Sequence, residues 1–140
     1  MTTTPTLDRY RRGDLASLPQ HEPDPVPNWA EYTEQHAHDL RSVRLAGRLV
    51  ACIGYFPIDA SHADAFAVVD RRASAGHGRE LAALIRQQQI AWMRATGVTS
   101  AFAECRPHDR TAQVFLRAIG FKRTNQAGNA NACFTFTWSK

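Results

Sequence analysis

Apolar positions along this chain change their period several times, and each change marks an element. Leu81, Leu84, Ile85 and Trp92 recur at helical spacing, with Gln88 as a polar interruption, and predict an amphipathic helix over 79–95. Ala112, Phe115, Leu116 and Ile119 make a cleaner stripe and predict a second helix over 109–119. Asp109, two residues after Pro107, is its natural N-cap, and Gly120 stands where a helix end favours a left-handed residue. Runs over 65–69 and 99–104 read as strands, one before each helix, and a Gly-containing turn over 73–78 joins the first strand to its helix. Strand, helix, strand, helix at this spacing implies parallel pairing through a helical crossover.

The flanking regions are antiparallel in style. Residues 7–12 predict a strand, and Asp14 a cap for a short helix beginning at Leu15. Pro19, Pro23, Pro25 and Pro27 remove backbone donors and predict a loop over 19–27. Asn28 and Glu31 have capping-box spacing, which predicts a helix over 29–35. Segments 42–45 and 48–54 read as a hairpin turning at Ala46-Gly47, with Val43 and Leu45 opposing Leu49, Ala51 and Ile53 on a sheet with one buried face. Pro57 lacks a ladder donor, so 55–59 is expected to leave the sheet. Beyond a strand from Phe121 and a Gly/Asn turn over 125–131, Phe134, Phe136 and Trp138 alternate with threonines as a half-buried closing strand. Its apolar face offers cover to a protein partner or a second copy of the chain.

Length and composition narrow the class. At 140 residues the expectation is one domain over 1–140 with a genuine core, and no run nears the roughly 18 apolar residues of a membrane span. The opening residues show no basic-then-apolar signal pattern. Cys52, Cys105 and Cys133 are odd in number and widely spaced, which argues against a disulfide framework and suits a reducing, cytoplasmic setting. The net charge of +4 helps hold an anionic ligand, but no basic tract with interleaved aromatics points to nucleic acid. His36 and His38 have no third ligand at a recognisable spacing, so they read as a solvated helix terminus rather than a metal site.

The stretch from Val68 to Phe121 resembles the GNAT N-acetyltransferase superfamily. There a Gln/Arg-x-x-Gly-x-Gly/Ala turn precedes a helix, and an Asn-x-x-Ala…Tyr-x-x-x-Gly-Phe segment follows. Gly76-x-Gly78 matches the end of the first motif, and Ala112 with Gly120-Phe121 matches the second. Ala73 stands at the Gln/Arg position, Asp109 at the Asn and Leu116 at the Tyr, a pattern similar to divergent phage- and prophage-encoded members, for which a virion-associated location also arises. Tyr10 to Leu15 is similar to the family's opening strand and helix. The resemblance implies an α/β (α+β) fold, with a mixed, mostly antiparallel sheet of six to seven strands, a central splayed parallel pair and about four flanking helices.

It also implies a chemistry: acetyl transfer from acetyl-CoA, as co-substrate, to an amine on a small molecule or peptide. A pyrophosphate needs inward-pointing donors, which unpaired helix-start amides supply. Gly76 and Gly78 would let the backbone approach, with the amides of His77, Gly78 and Arg79 as cradle and Arg71, Arg72 and Arg79 as added charge. Val68 and Val69 belong to the strand that would hold the acetyl carbonyl, and Asp109 to the coenzyme-arm motif. Glu104 is the candidate base, and Tyr55 the candidate acid in place of the absent Tyr. Cys105 and His108 are near in sequence, but a nucleophilic pair needs contact and an orienting group. The alternative is a GNAT-fold binding or structural protein without catalysis.

Overall fold

A computed structural model describes residues 4–19, 28–124 and 130–138. Pro23, Pro25, Pro27 and residues 125–129 of the Gly/Asn turn lie outside the described residues. Among the described residues seven strands, β1 (Thr6–Arg9), β2 (His38–Leu45), β3 (Arg48–Pro57), β4 (His62–Val69), β5 (Ser100–Cys105), β6 (Lys122–Thr124) and β7 (Ala132–Thr137), form one sheet in the order β1-β2-β3-β4-β5-β7-β6. The helices among the described residues are α1 (Asp14–Ser17), α2 (Trp29–His36), α3 (Gly78–Thr96) and α4 (Arg110–Ile119). β4 and β5 run parallel, whereas β1–β2, β2–β3, β5–β7 and β6–β7 are antiparallel. This is the mixed α+β architecture the resemblance implies. The chain divides into two compact units, 1–56 with 66–81 and 57–65 with 82–140. Among the described residues no helix is long and apolar enough to cross a membrane.

In the first unit, the β2–β3 hairpin turns at Ala46 (φ 52°) and Gly47 (φ 80°). Positive φ at both central residues matches the strand twist, but an alanine there carries a steric cost of about 1 kcal/mol. Ala46→Asn, which tolerates this conformation, should therefore raise stability by about 0.5–1 kcal/mol in thermal melts. Val43 faces Ala51 as expected, yet a register shift after Val43 sets Arg44 against Leu49 and Leu45 against Arg48. Nor does β3 bury one face alone: Val50, Ala51, Cys52, Ile53 and Tyr55 are all buried, so both faces are covered. The strand also continues past the expected exit, ending on Pro57 itself, where a missing donor does least harm.

The two short helices are fixed by polar contacts the sequence did not specify. Asn28 precedes α2, but at φ 60° its side chain makes no cap, so the expected capping box is not formed. Asp14 begins α1 rather than capping it; its Oδ2 accepts from the Arg11 amide (3.1 Å), Ser42 Oγ (2.6 Å) and Arg44 Nη2 (3.2 Å). The Tyr10 hydroxyl donates to Glu34 and accepts from the Leu15 amide, and the Gly13 amide donates to the same carboxylate. Those two donors, Tyr10 first, hold the Glu34 carboxyl below its ordinary range. Beneath them Leu15, Leu18 and Cys52 form a buried cluster flanked by Trp29, Phe66 and Val68.

In the second unit, α3 buries Ala82, Ile85, Gln89, Trp92 and Met93. The polar member of its stripe is thus Gln89, not Gln88. α4 follows its sequence signals closely: Asp109 Oδ1 accepts from the Ala112 amide (3.1 Å), and Gly120, at φ 112°, closes the helix. The Gly120 and Phe121 amides donate to the Arg117 and Leu116 carbonyls (both 2.9 Å), satisfying two of the helix's orphan acceptors. β7 is an interior strand, not a closing one, because β6 pairs on its far side. Phe134 and Phe136 are buried, so the expected apolar face for a partner is already covered within the chain. Trp138 lies just past β7, with the Arg94 guanidinium 4.9 Å above its ring.

Candidate functional site

The turn leaving β4, in the first unit, is organised by Asp70. This residue is 8% exposed; its amide donates to the Val50 carbonyl (2.8 Å), which anchors the turn to β3. Its Oδ1 accepts from the Ala73 amide (3.0 Å), and its own carbonyl accepts from the amide (3.0 Å) and hydroxyl (2.8 Å) of Ser74. Gly76 has φ +83°, a conformation that disfavours any side chain. The His77 amide then donates to the Ser74 carbonyl (2.9 Å), so it serves the turn and not the cradle expected of it.

α3 starts immediately afterwards. The Leu81 amide is the first to reach back, to the His77 carbonyl (3.0 Å), which leaves the amides of Gly78, Arg79 and Glu80 at the helix mouth with no intrahelical acceptor. A Cβ on Gly78 would meet no atom within 4 Å, and its φ is not positive. The turn itself therefore does not require glycine there, whereas close approach of an external group would. His77 Nδ1 is buried and makes no hydrogen bond among the described residues. Three amides without intrahelical acceptors, a bare Cα and a ring nitrogen with no partner among the described residues suit a pyrophosphate, with the macrodipole adding attraction. Arg72 and Arg79 are exposed near this mouth in sequence, and Arg71 is half-buried.

Val68 and Val69, half-buried, end the strand before this turn, and Val68 packs on the Leu15–Cys52 cluster. Tyr55 is 2% exposed on β3, opposite His38. Burial, and then the charge of Asp39, raise its hydroxyl well above the ordinary phenol range, so it stays protonated and can only donate or accept as a neutral group. His36 ends α2 exposed, its ring 4.4 Å from Tyr32. No group of three metal-binding side chains occurs among the described residues.

The second unit holds Glu104, the candidate base, and Asp64. The parallel ladder runs from His62↔Ser100 to Asp64↔Phe102, using three residues of each strand. Glu104 lies two residues beyond Phe102, so Asp64, Phe102 and Glu104 share one face of the sheet. Burial, and then the Glu104 charge, push the Asp64 carboxyl upward. Asn131 Nδ2 donates to Glu104 Oε2 at 3.2 Å. The sequence did not single out Asp64, because His62, Ala63 and Asp64 break the apolar run and the strand was expected to begin after them. Asp109 is engaged as the cap of α4. Cys105 is half-buried on β5, and His108 is exposed beyond its end.

A parallel strand pair joined by a helix, whose first turn offers amides without intrahelical acceptors after a glycine turn, defines the class as a mixed α+β protein with an anion-facing helix mouth. The Acetyltransferase (GNAT) family model matches residues 6–121, and the chain belongs to that family, whose chemistry is acyl transfer. Solved structures agree in fold. An acetyltransferase from Streptococcus agalactiae superposes with a TM-score of 0.74 at 13% identity, over 96% of this chain and 99% of that one. Ard1 from Thermoplasma volcanium gives 0.72 at 17% identity, over 98% and 99%. The Campylobacter jejuni N-acetyltransferase PseH, in complex with acetyl coenzyme A, gives 0.56 at 11% identity, over 71% and 67%. No curated protein matches the chain.

Proposed function

We propose that this protein is an N-acetyltransferase that takes its acetyl group from acetyl-CoA and delivers it to an amine. The observation that carries the reading is the start of α3, where the amides of Gly78, Arg79 and Glu80 lack intrahelical acceptors and Gly78 leaves open space before them. In this reading those amides hold the pyrophosphate, with His77 Nδ1 as a further polar contact and Arg79 as nearby charge. Val68 and Val69 supply strand backbone beside the thioester, and Asp109 keeps α4 capped at the coenzyme-arm motif. Acetyl-CoA supplies the activated acetyl thioester. Glu104 accepts the proton of the incoming ammonium, and Tyr55, held neutral by burial, is the candidate donor toward the leaving sulfur. The non-catalytic alternative draws no support from the family match or from the two neighbours named as acetyltransferases.

The test is calorimetric titration with acetyl-CoA, followed by an amine screen. Coenzyme at 100 times its dissociation constant should stabilise the fold by about 2.7 kcal/mol, visible as a raised melting temperature. Glu104→Gln should lower kcat by roughly a hundredfold or more while leaving coenzyme affinity unchanged. Absence of binding at millimolar acetyl-CoA would end the transferase reading.

A further inference from the structure

Glu104 is not simply an acid on an exposed strand end. It projects from β5 on the same sheet face as Asp64, and the two carboxylates influence each other electrostatically. Like charges on neighbouring strands drive flexible side chains apart, and glutamate has three rotatable bonds with which to turn away. Something must hold it. In the antiparallel register Glu104 lies opposite Cys133, and Asn131 stands two residues before that cysteine, at the approach to β7. The Asn131 amide reaches Glu104 Oε2 at 3.2 Å, while its own carbonyl accepts from Cys133 Sγ at 3.7 Å.

We infer that Asn131 is a positioning residue for the candidate base, holding one oxygen of Glu104 so that the other is presented to the substrate ammonium. The inference rests on the transferase reading above. A neutral donor suits the task, since it fixes the carboxylate without neutralising it as a cation would. The groups facing this carboxylate from the neighbouring strands are Asp64 on β4, with its like charge, and Cys133 on β7. Next along, on β6, comes Thr124, whose hydroxyl donates to the Cys133 carbonyl (3.5 Å). Asn131 is exposed, so truncating it leaves the apolar core intact.

A double-mutant cycle tests this, with kcat read alongside the KM for acetyl-CoA. Asn131→Ala should lower kcat about tenfold with coenzyme KM unchanged, and Asn131→Asp, which sets a third carboxylate against Glu104, should lower it further. In a Glu104→Gln background, Asn131→Ala should change kcat less than twofold, because the group it positions is gone. Equal losses in both backgrounds, or no loss in wild type, would overturn the positioning role while leaving the transferase standing. A wild-type protein that binds no acetyl-CoA would overturn both.

Discussion

Gly78→Glu is expected to abolish acetyl-CoA binding while leaving the protein folded, because its effects on binding and on folding have opposite signs. For binding, the new carboxylate enters the open space before the α3 amides and faces the phosphates. Two like unit charges about 4 Å apart repel by roughly 4 kcal/mol at the effective dielectric of a protein surface. That exceeds the roughly 2.8 kcal/mol that corresponds to a hundredfold loss in affinity. For folding, no atom lies within 4 Å of a Cβ at this position, glutamate is the better helix former, and a negative charge in the first turn complements the macrodipole. Calorimetry and a melting curve on the same sample decide it. Undiminished coenzyme affinity in a folded Gly78→Glu protein would remove the α3 mouth from the site.

Gly120→Ala should have the largest effect on stability. A Cβ there would lie 2.9 Å and 3.2 Å from two atoms of the Phe136 ring, and the backbone φ of +112° is one that side chains rarely adopt. Phe136 is buried, and its ring sits 5.8 Å from that of Phe121, so it has little room to yield. Left-handed strain of about 1–2 kcal/mol and overpacking of about 1–3 kcal/mol together predict a loss of about 2–5 kcal/mol, a melting temperature lower by roughly 10 °C. Combining Gly120→Ala with Phe136→Leu should recover the overpacking part and leave the backbone strain. A Gly120→Ala protein as stable as wild type would refute both contributions.

What the sequence revealed depends on how local each determinant is. α4 was legible to within a residue because its stripe, its Asp109 cap and its Gly120 terminus all fall within a dozen positions and agree. The start of β4 was not, because what makes His62, Ala63 and Asp64 strand is pairing with residues nearly forty positions later. Three consecutive glutamines, 87–89, hid which of them faces inward, and only packing selects Gln89. Gly76 and Gly78 stood out as a pair, yet they act differently: Gly76 is required by its φ, and Gly78 is required by nothing within the turn. The role of Asp70 was invisible, since an acid after a strand shows no sign of the three donors it gathers. Strand order is the least local property of all, which is why β7 was expected at an edge.

That order bears on how the molecule assembles. β7 leaves the ribosome after β5 and β6, yet it fills the place between them. Until residue 137 has emerged, β6 has no neighbour to pair with and the β5 edge stands open. The second unit therefore closes by insertion of a later segment between two earlier ones rather than by growth outward from a finished sheet, and β5 and β6 become linked only once β7 is in place.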